Sequence, residues 1–337
     1  MKILAWSGTE AYALIYVAEL GREKIVEFVE SVQPPLLRQK KWVLIISTLF
    51  GCPVGCRMCD AGSYYQGKLS PDEILAQIDF LVSQRFPNRF IPVEKFKIQF
   101  ARLGEPSFNL NVLEVLAVLP DRYQAPGLLP SISTIAPAGT DSFFERLREI
   151  KYNKYPGGRF QLQFSMHTTD QKLRDKLIPV KKWGFDQIKK YGEKFYQKGD
   201  RKITLNFALA REMPIDPEIL LEHFNPDKFL VKITPLNPTY QAQKNGLSSY
   251  IDVHQRGDDY PLVKELRAKG YDVILSLGEV EENFIGSNCG QFLMKHLRTE
   301  RPLEDGYTYP VQKFGSPSLP FRMNPQAESL DIKHFCK

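Results

Sequence analysis

Residues 42–59 read WVLIISTLFGCPVGCRMC, and this stretch joins a short apolar run to three closely spaced cysteines. The run, which ends at Thr48, fits a parallel strand that is buried on both faces. Cys52, Cys56 and Cys59 then follow with the spacing C-x3-C-x2-C, in what we expect to be a loop. In parallel α/β proteins the chemistry collects at the carboxyl ends of the strands. We therefore expect a functional site here.

The spacing of these cysteines suits an iron–sulfur cluster. Three thiolates can hold three irons of a [4Fe-4S] cube and leave the fourth iron open. The open iron can chelate the amino and carboxylate groups of S-adenosylmethionine, and an electron from the cluster then cleaves the sulfonium to give a 5′-deoxyadenosyl radical. A structural zinc site is the alternative. Zinc normally takes four ligands in paired spacings, and the sequence has no second pair.

The other two of the five cysteines, Cys289 and Cys336, stand alone. A disulfide scaffold would instead spread an even number of cysteines through a short secreted chain. The first residues, MKILAWSGTE, have neither the basic start nor the apolar core of a signal peptide. The least polar stretch, residues 42–56, is shorter than a membrane span, which needs roughly 20 residues. We expect a soluble protein of the reducing cytoplasm, with no membrane partner.

The composition is that of an ordinary globular protein. Of the 337 residues, 43% are hydrophobic and 25% are charged, which excludes a disordered tail, a collagen-like fibre and a coiled coil. The 45 basic and 39 acidic side chains give a formal charge of +6. This charge is compatible with an RNA partner but does not require one, because acidic residues nearly match basic ones and no long basic run is present.

Beyond the cysteines, strand-like and helix-like segments alternate along the chain. Ser70 can cap a helix that starts at Pro71 and runs to about residue 85. Further strands are predicted at 95–102, 128–135, 160–166, 202–210, 229–235 and 271–276, and helices near 109–118, 140–151, 170–199, 216–223 and 260–269. This alternation indicates an α/β fold with a parallel sheet and helical crossovers. Before it, residues 11–32 alternate around Gly21-Arg22, which predicts a β-hairpin.

A set of short motifs carries a resemblance to known enzymes. They are Val54-Gly55-Cys56, Gly104-Glu105-Pro106-Ser107-Phe108-Asn109, Ile132-Ser133-Thr134, Ser165-Met166-His167 with Arg174 and Ile178-Pro179, Leu236-Asn237-Pro238 and Asn288-Cys289-Gly290-Gln291-Phe292. With this ordered set the chain resembles the radical S-adenosylmethionine superfamily, and more closely the RlmN/Cfr family of 23S ribosomal RNA adenine methyltransferases, over about residues 12–295. The resemblance implies a partial (β/α)6 barrel at 41–292, with an N-terminal β-hairpin extension at 1–40 and a C-terminal tail at 293–337.

The resemblance also implies cofactor contacts. Glu105, with the Gly104 backbone, would hold the ammonium of S-adenosylmethionine, since a carboxylate is a natural partner of a cation. The rest of that molecule would be held by residues of the later motifs, namely Ser133, Ser165, Met166, His167 and Asn237. Taken alone, Glu105 can equally be a solvated loop acid, His167 a core histidine and each serine a strand-end hydroxyl. The implied electron donor is a protein of the flavodoxin or ferredoxin type.

Cys289 matches the methyl-carrying cysteine of the family. There, one S-adenosylmethionine first methylates the cysteine, and the adenosyl radical then removes a hydrogen atom from the S-methyl group. The resulting thiomethylene radical adds to an sp2 carbon of adenine, C2 or C8, which is too poor a nucleophile for ordinary methyl transfer. The alternative for Cys289 is a lone buried cysteine that acts as a small hydrophobe. Cys336 is interpreted as incidental.

Some positions depart from the family pattern. A second family cysteine, which helps to resolve the covalent protein–RNA adduct, is replaced here by Ile45, which can neither take a proton nor attack as a thiol. An assisting glutamate of the hairpin is best matched by Glu27, with Glu30 as a competitor, and both can equally be solvated strand acids. Family members have a small helical RNA-binding domain before the hairpin, and because the predicted hairpin starts near residue 11 we expect this domain to be missing here.

The sequence therefore predicts a radical S-adenosylmethionine methyltransferase that acts on an sp2 carbon through S-methylated Cys289. Its substrate would be an RNA adenine or a smaller molecule. One alternative is a non-methylating radical enzyme in which Cys289 donates a hydrogen atom. Another is a catalytically silent RNA-binding paralogue, against which the intact cluster motif argues.

Overall fold

The computed structural model describes residues 1–21, 24–252, 260–299 and 301–314. Its strands, in chain order, are β1 (Lys2–Gly8), β2 (Ala13–Glu19), β3 (Ile25–Ser31), β4 (Trp42–Ile46), β5 (Leu49–Gly51), β6 (Tyr65–Lys68), β7 (Phe96–Phe100), β8 (Leu128–Thr134), β9 (Gln161–Ser165), β10 (Ile203–Leu209), β11 (Phe229–Pro235), β12 (Val273–Leu275) and β13 (Val311–Lys313). Its helices are α1 (Pro71–Arg85), α2 (Asn111–Arg122), α3 (Asp141–Lys154), α4 (Gln171–Leu177), α5 (Phe185–Phe195), α6 (Pro217–His223), α7 (Tyr240–Lys244), α8 (Pro261–Ala268), α9 (Val280–Ile285) and α10 (Leu293–Arg298). Cys336 lies outside the described residues.

The described strands, apart from the β5–β6 pair, join in one sheet with the order β12-β11-β10-β9-β8-β7-β4-β3-β2-β1-β13. Neighbours from β12 to β4 are parallel, and those from β4 to β13 are antiparallel. Within the described ranges β12 and β13 form the two edges, so the barrel is not closed. The predicted α/β fold is confirmed, and so is the hairpin, which is formed by β2 and β3.

Several short elements were missed by the sequence reasoning. They include β1 and its edge partner β13, the small β5–β6 pair, and α7, α9 and α10. The helix predicted over 170–199 is instead two helices, α4 and α5. Pro179 explains this break, because the residue before a proline is disfavoured in the helical region. Ile178 has φ −118° and ψ 89°, which ends α4.

Helix α1 directs the chain away from the cysteine loop and begins as the sequence predicts. The Ser70 hydroxyl accepts from the Glu73 backbone N–H at 3.2 Å, and the Glu73 carboxylate accepts from the Ser70 N–H at 2.8 Å. Such a capping box, with Pro71 at the first helical position, typically contributes about 1 kcal/mol. None of the helices in the described ranges is long and apolar enough to cross a membrane.

The parallel strands present two chemically different faces. In β7, Phe96, Ile98 and Phe100 are fully buried in the main hydrophobic core, whereas Lys97 and Gln99 between them are partly exposed. The pairing register continues this alternation across the sheet and defines an inner face, opposite the face that packs on this core. The polar members of the inner face are Lys97, Gln99, Ser131, Ser133, Gln161, Gln163, Ser165, Thr204, Asn206, Lys232 and Thr234.

Candidate functional site

The cysteine loop is held in place by close backbone contacts. Gly55 and Gly62 pack directly on each other, since a Cβ at Gly62 would lie 2.7 Å from the Gly55 Cα. The Cys52 N–H donates to the Tyr64 carbonyl at 3.1 Å, and the Cys59 N–H donates to the Cys56 carbonyl at 3.1 Å. The loop is therefore a fixed turn at the carboxyl end of the strands, as the sequence predicts.

The thiols of Cys52, Cys56, Cys59 and Cys289 lie close enough together that their charges act on Cys56 and Cys59, and we call this place the recess. Cys52, Cys56 and Cys59 are partly exposed and Cys289 is exposed. The surrounding protein raises the pKa of Cys52 to about 12 and raises the pKa values of Cys56 and Cys59 as well. Neighbouring thiols raise these pKa values further. For Cys59, the charges of Cys289 and Cys52 contribute to the rise. Gathering several thiolates in one place is unfavourable unless a positive group compensates them. The recess therefore fits a cationic iron–sulfur centre.

A single metal ion and an iron–sulfur cluster require different arrangements of the thiols. Among the residues that the structure describes, no group of three or more His, Cys, Asp or Glu side chains is placed to hold one metal ion. In a [4Fe-4S] cube, by contrast, each cysteine binds a different iron, so its ligands do not converge on one point.

Glu105 places a buried carboxylate beside this recess. It is only 5% exposed and accepts from the Thr134 hydroxyl at 2.5 Å, the Ile135 N–H at 2.9 Å and the Ser107 hydroxyl at 2.8 Å. Burial raises the pKa of Glu105, and these hydrogen bonds oppose that rise. All these donors are neutral, and the described residues give Glu105 no ion-pair partner within 4.0 Å. A buried carboxylate without a countercharge fits the ammonium of S-adenosylmethionine.

Gly104 precedes Glu105 at a position where both the backbone conformation and the space around it favour glycine. Its φ is +94°, and a Cβ there would lie 2.4 Å from the Leu49 side chain. Both facts favour glycine. The turn after β7 thereby passes close to Leu49, three residues before the first cluster cysteine.

The loop that carries Cys289 is fixed by one arginine. The Arg102 guanidinium donates to the carbonyls of Gly286 at 2.8 Å, Ser287 at 3.0 Å and Asn288 at 2.9 Å. It also forms an ion pair with Glu27 at 2.9 Å. Sequence reasoning missed Arg102, because nothing in its local sequence shows which distant carbonyls it will reach.

Glu27, the predicted assisting glutamate, is fully buried. Its carboxylate accepts from Arg102 and from the backbone N–H groups of Leu293 at 3.3 Å and Met294 at 2.7 Å, at the start of α10. Burial raises its pKa, and the Arg102 charge and these N–H groups oppose that rise. Glu27 is therefore not a solvated strand acid, and its contacts are with the scaffold of the Cys289 loop. The competitor Glu30 instead pairs with Arg85 at 2.7 Å, away from that loop.

A direct hydrogen bond joins the cysteine loop to the Cys289 loop. The Asp60 N–H donates to the Gly290 carbonyl at 2.8 Å. Asn237, predicted to contact the cofactor, donates from its side-chain amide to the Cys289 carbonyl at 2.9 Å. The two loops, far apart in the sequence, are thus held against each other.

The other predicted cofactor residues divide between the two faces of the sheet. Ser133 and Ser165 lie on the inner face, and the Gln99 amide lies 3.5 Å from the Ser133 hydroxyl. The Met166 side chain is fully buried in the main hydrophobic core. Since successive strand side chains alternate, Met166 shares the outer face with Phe164, and only its backbone is left to reach a cofactor.

His167 is buried and held in one tautomer. Its Nδ1 accepts from the Ala208 N–H at 3.1 Å, so the proton of the neutral ring lies on Nε2. Burial, followed by the Arg174 charge, lowers its pKa to about 3. Its φ of +66° is unusual for a residue with a side chain. His167 can therefore present a neutral N–H donor at the carboxyl end of β9.

We expect His167 to make the protein sensitive to acid. Its pKa is lower when folded than its ordinary value of 6.5, so the unfolded chain binds the proton more readily. Stability is therefore fully present above pH 6.5 and falls toward pH 3, by up to about 1.4 kcal/mol per pH unit. Denaturant unfolding of wild type and His167→Asn across this range measures it. Asparagine tolerates positive φ and keeps an acceptor, so an identical acid dependence in the variant would contradict this assignment.

Ile45, which replaces the second family cysteine, lies near the site. It packs against the same apolar cluster as Cys52 and Cys59 and is paired with Gln99 on the inner face. The position therefore faces the recess but offers only hydrocarbon. The sequence analysis gave no role to Thr134, although it lies in one of the motifs, or to Asp60. The Thr134 hydroxyl donates to Glu105, and the Asp60 carboxylate accepts from the Tyr240 N–H at 3.1 Å.

Comparison with known proteins places these features in context, although no family model matches the chain. A probable dual-specificity RNA methyltransferase RlmN of Synechococcus sp. (strain RCC307) is 26% identical over 205 residues, which cover 59% of this chain and 56% of that protein. The RlmN of Wolinella succinogenes is 25% identical over 277 residues, 79% of this chain and 74% of that protein. The probable RlmN of Thermus thermophilus is 25% identical over 285 residues, 82% of this chain and 74% of that protein.

A solved structure supports the fold. The radical SAM methyltransferase from Sphaerobacter thermophilus superposes with a TM-score of 0.64 at 18% identity and covers 86% of this chain and 81% of that one. At this identity the likeness concerns the fold. The match to the Synechococcus protein spans little more than half of that protein's length.

Proposed function

We propose that the chain, which is similar to RlmN proteins at about 25% identity and shares the fold of a radical SAM methyltransferase, methylates an unreactive sp2 carbon by way of Cys289. One observation carries this proposal: Cys289 opens into the recess of the three loop cysteines, and its loop is hydrogen-bonded to theirs through Asp60 and Gly290. A lone hydrophobic cysteine would be buried, whereas Cys289 is exposed.

The residues of the recess would have different roles in binding the two cofactors. Cys52, Cys56 and Cys59 would hold a [4Fe-4S] cluster, and Glu105 would hold the ammonium of S-adenosylmethionine. When bound, these groups supply a carbon-centred radical that can remove hydrogen from an unactivated C–H bond. His167 would donate from Nε2, and Ser133 and Ser165 would donate hydroxyls from the inner face.

Cys289 would act in two stages. Its sulfur would first exchange the thiol proton for a methyl group. After a hydrogen atom is removed from this methyl group, its carbon would bond to the substrate carbon, which loses its own hydrogen. Cleavage of the carbon–sulfur bond, with electrons from a reductant and protons, would then release the methylated product and the Cys289 thiol. Arg102, Glu27 and Asn237 act as positioning residues, because they bind the backbone of the Cys289 loop or its supports. We propose an RNA base as the substrate, in keeping with the printed names of the relatives.

The cluster is tested by anaerobic reconstitution with iron and sulfide. The wild type should bind about four irons and absorb broadly near roughly 400 nm. Cys56→Ala should lose most of this iron, because an iron of the cube loses its thiolate. Lys172→Gln, on the exposed surface of α4, is the control and should bind iron like the wild type. A colourless wild type that holds one zinc would overturn the proposal.

A second function is favoured by Ile45. The hydrocarbon side chain of Ile45 cannot resolve a covalent adduct on Cys289. A non-methylating reaction in which Cys289 donates a hydrogen atom forms no such adduct, so it needs no residue to resolve one. Mass analysis of the Cys289 peptide after incubation with S-adenosylmethionine separates the two functions. An added methyl group supports methyl transfer, whereas an unmodified Cys289 supports hydrogen-atom donation.

A further inference from the structure

Arg174 is a fully buried cation whose hydrogen-bond acceptors are all neutral. It lies on α4, and its side chain is 0% exposed. Its guanidinium donates to the carbonyls of Trp183 at 2.8 Å and Ile135 at 3.4 Å, and its Nε donates to no acceptor in the described residues. The neighbouring Asp175 pairs with Lys182 instead, at 2.6 Å. Burying a charge in this way is unfavourable, so the position of Arg174 requires an explanation.

One of these acceptors, Ile135, lies in the segment that supports Glu105. We call residues 134–136 the Glu105-binding turn. The Thr134 hydroxyl donates to the Glu105 carboxylate at 2.5 Å, and the Ile135 N–H donates to it at 2.9 Å. Arg174 binds the carbonyl of the same Ile135. The guanidinium thus restrains a residue that donates its own N–H to Glu105.

The Glu105-binding turn needs such a restraint because Ala136 has a left-handed backbone. Its φ is +53°, a conformation that few residues other than glycine adopt without cost. A residue held in such a conformation persists only where its surroundings fix it. The Ala136 carbonyl accepts from the Trp183 N–H at 2.8 Å, and Arg174 binds the Trp183 carbonyl. Arg174 therefore fixes this turn from two sides, through Ile135 and through Trp183.

Helix α4, which carries Arg174, also contacts the cysteine loop. The Arg57 N–H in that loop donates to the Leu177 carbonyl at the end of α4, at 2.9 Å. Leu177 and Ile135 belong to one apolar cluster, against which two of the loop cysteines pack. The helix is therefore fixed to the cysteine loop at its end and, through Arg174, to the Glu105-binding turn. This arrangement sets the separation between the cysteine loop and Glu105.

We propose that Arg174 is a positioning residue for S-adenosylmethionine, because it fixes the turn that presents Glu105 to the ammonium group. Arg174 touches no ligand itself, since its side chain is fully buried. A planar guanidinium can donate to two carbonyls at once, whereas a lysine ammonium is a single point charge. This inference rests on the proposed function, since it concerns the binding of the same cofactor by Glu105.

Calorimetric titration of the reconstituted protein with S-adenosylmethionine and with 5′-methylthioadenosine tests this role. The second probe has the adenosine and sulfur of the first but no ammonium or carboxylate, so it offers nothing to Glu105. In Arg174→Met, we expect S-adenosylmethionine to bind at least about tenfold more weakly, and 5′-methylthioadenosine to bind as it does to the wild type. A general loss of structure would weaken both probes together. Equal losses for both probes, or an unchanged affinity for S-adenosylmethionine, would overturn the role.

Two further variants keep the test decisive if Arg174→Met folds poorly. Arg174→Lys keeps the charge but cannot hold both carbonyls, so it should also weaken the binding of S-adenosylmethionine alone. Glycine adopts positive φ readily, so adding Ala136→Gly to either Arg174 variant should restore part of the lost affinity. A merely structural role of Arg174 predicts no such rescue, and its absence in both backgrounds would contradict the proposal.

Arg201→Met is the matched control. Arg201 also donates to a backbone carbonyl, that of Gly158 at 2.9 Å, but it precedes β10 and so lies at the opposite end of the sheet from the cysteine loop. Its variant should bind both probes like the wild type. Failure of the wild type to bind S-adenosylmethionine would count against the proposed function, whereas equal binding by the wild type and Arg174→Met counts against Arg174 alone.

Discussion

Replacing Cys289 by alanine should abolish methyl transfer. The thiol opens into the recess of the three loop cysteines, where alanine offers no atom to carry a methyl group. Loss of a covalent nucleophile commonly costs roughly 1000-fold or more. Transfer of labelled methyl from S-adenosylmethionine to RNA measures this loss, and mass analysis of the Cys289 peptide should show the methyl group in the wild type alone.

A second variant and two further measurements show whether the loss of methyl transfer is specific to Cys289. Cys336→Ala removes the cysteine that is interpreted as incidental, so it should methylate like the wild type. Iron content and 5′-deoxyadenosine formation show whether the Cys289 variant still assembles its cluster. We expect that it does, because Cys289 is not one of the three predicted cluster ligands. Methylation by the Cys289 variant at the wild-type rate would rule out its role as carrier.

Replacing Arg102 by methionine should destabilise the protein strongly. Arg102 is 7% exposed, and its loss leaves the Glu27 carboxylate buried without its cation. Breaking a buried ion pair in this way typically costs about 3–5 kcal/mol. The carbonyls of Gly286, Ser287 and Asn288 also lose their donor, so the Cys289 loop should loosen. Denaturant unfolding measures the loss of stability, and protease cleavage within the loop measures its mobility.

A surface ion pair supplies the matched control. Arg122 pairs with Asp79 where both side chains are partly exposed, so Arg122→Met should cost at most about 1 kcal/mol. Adding Glu27→Gln to Arg102→Met should restore part of the stability, because a neutral amide oxygen can still accept from Met294. If Arg102→Met costs no more than Arg122→Met, the buried pair does not hold the Cys289 loop.

The fold could be predicted because its signals are local. The apolar run from Trp42, the Ser70 capping box and the alternation of segments each depend on neighbours in the sequence. Pro179 also marked the break between α4 and α5, although the segment was predicted as a single helix. Met166 could have been assigned to the outer face from alternation with Phe164 alone.

The site could be predicted only in part. The sequence alone singled out Cys52, Cys56 and Cys59 as predicted cluster ligands, since their spacing lies within one loop, and it singled out Glu105 and Cys289 by resemblance. The tertiary structure decided that Arg102 and Glu27 hold the Cys289 loop. A hydrogen bond or a charge pair between distant segments depends on how the strands curve and pair, and no local pattern of residue types records that geometry.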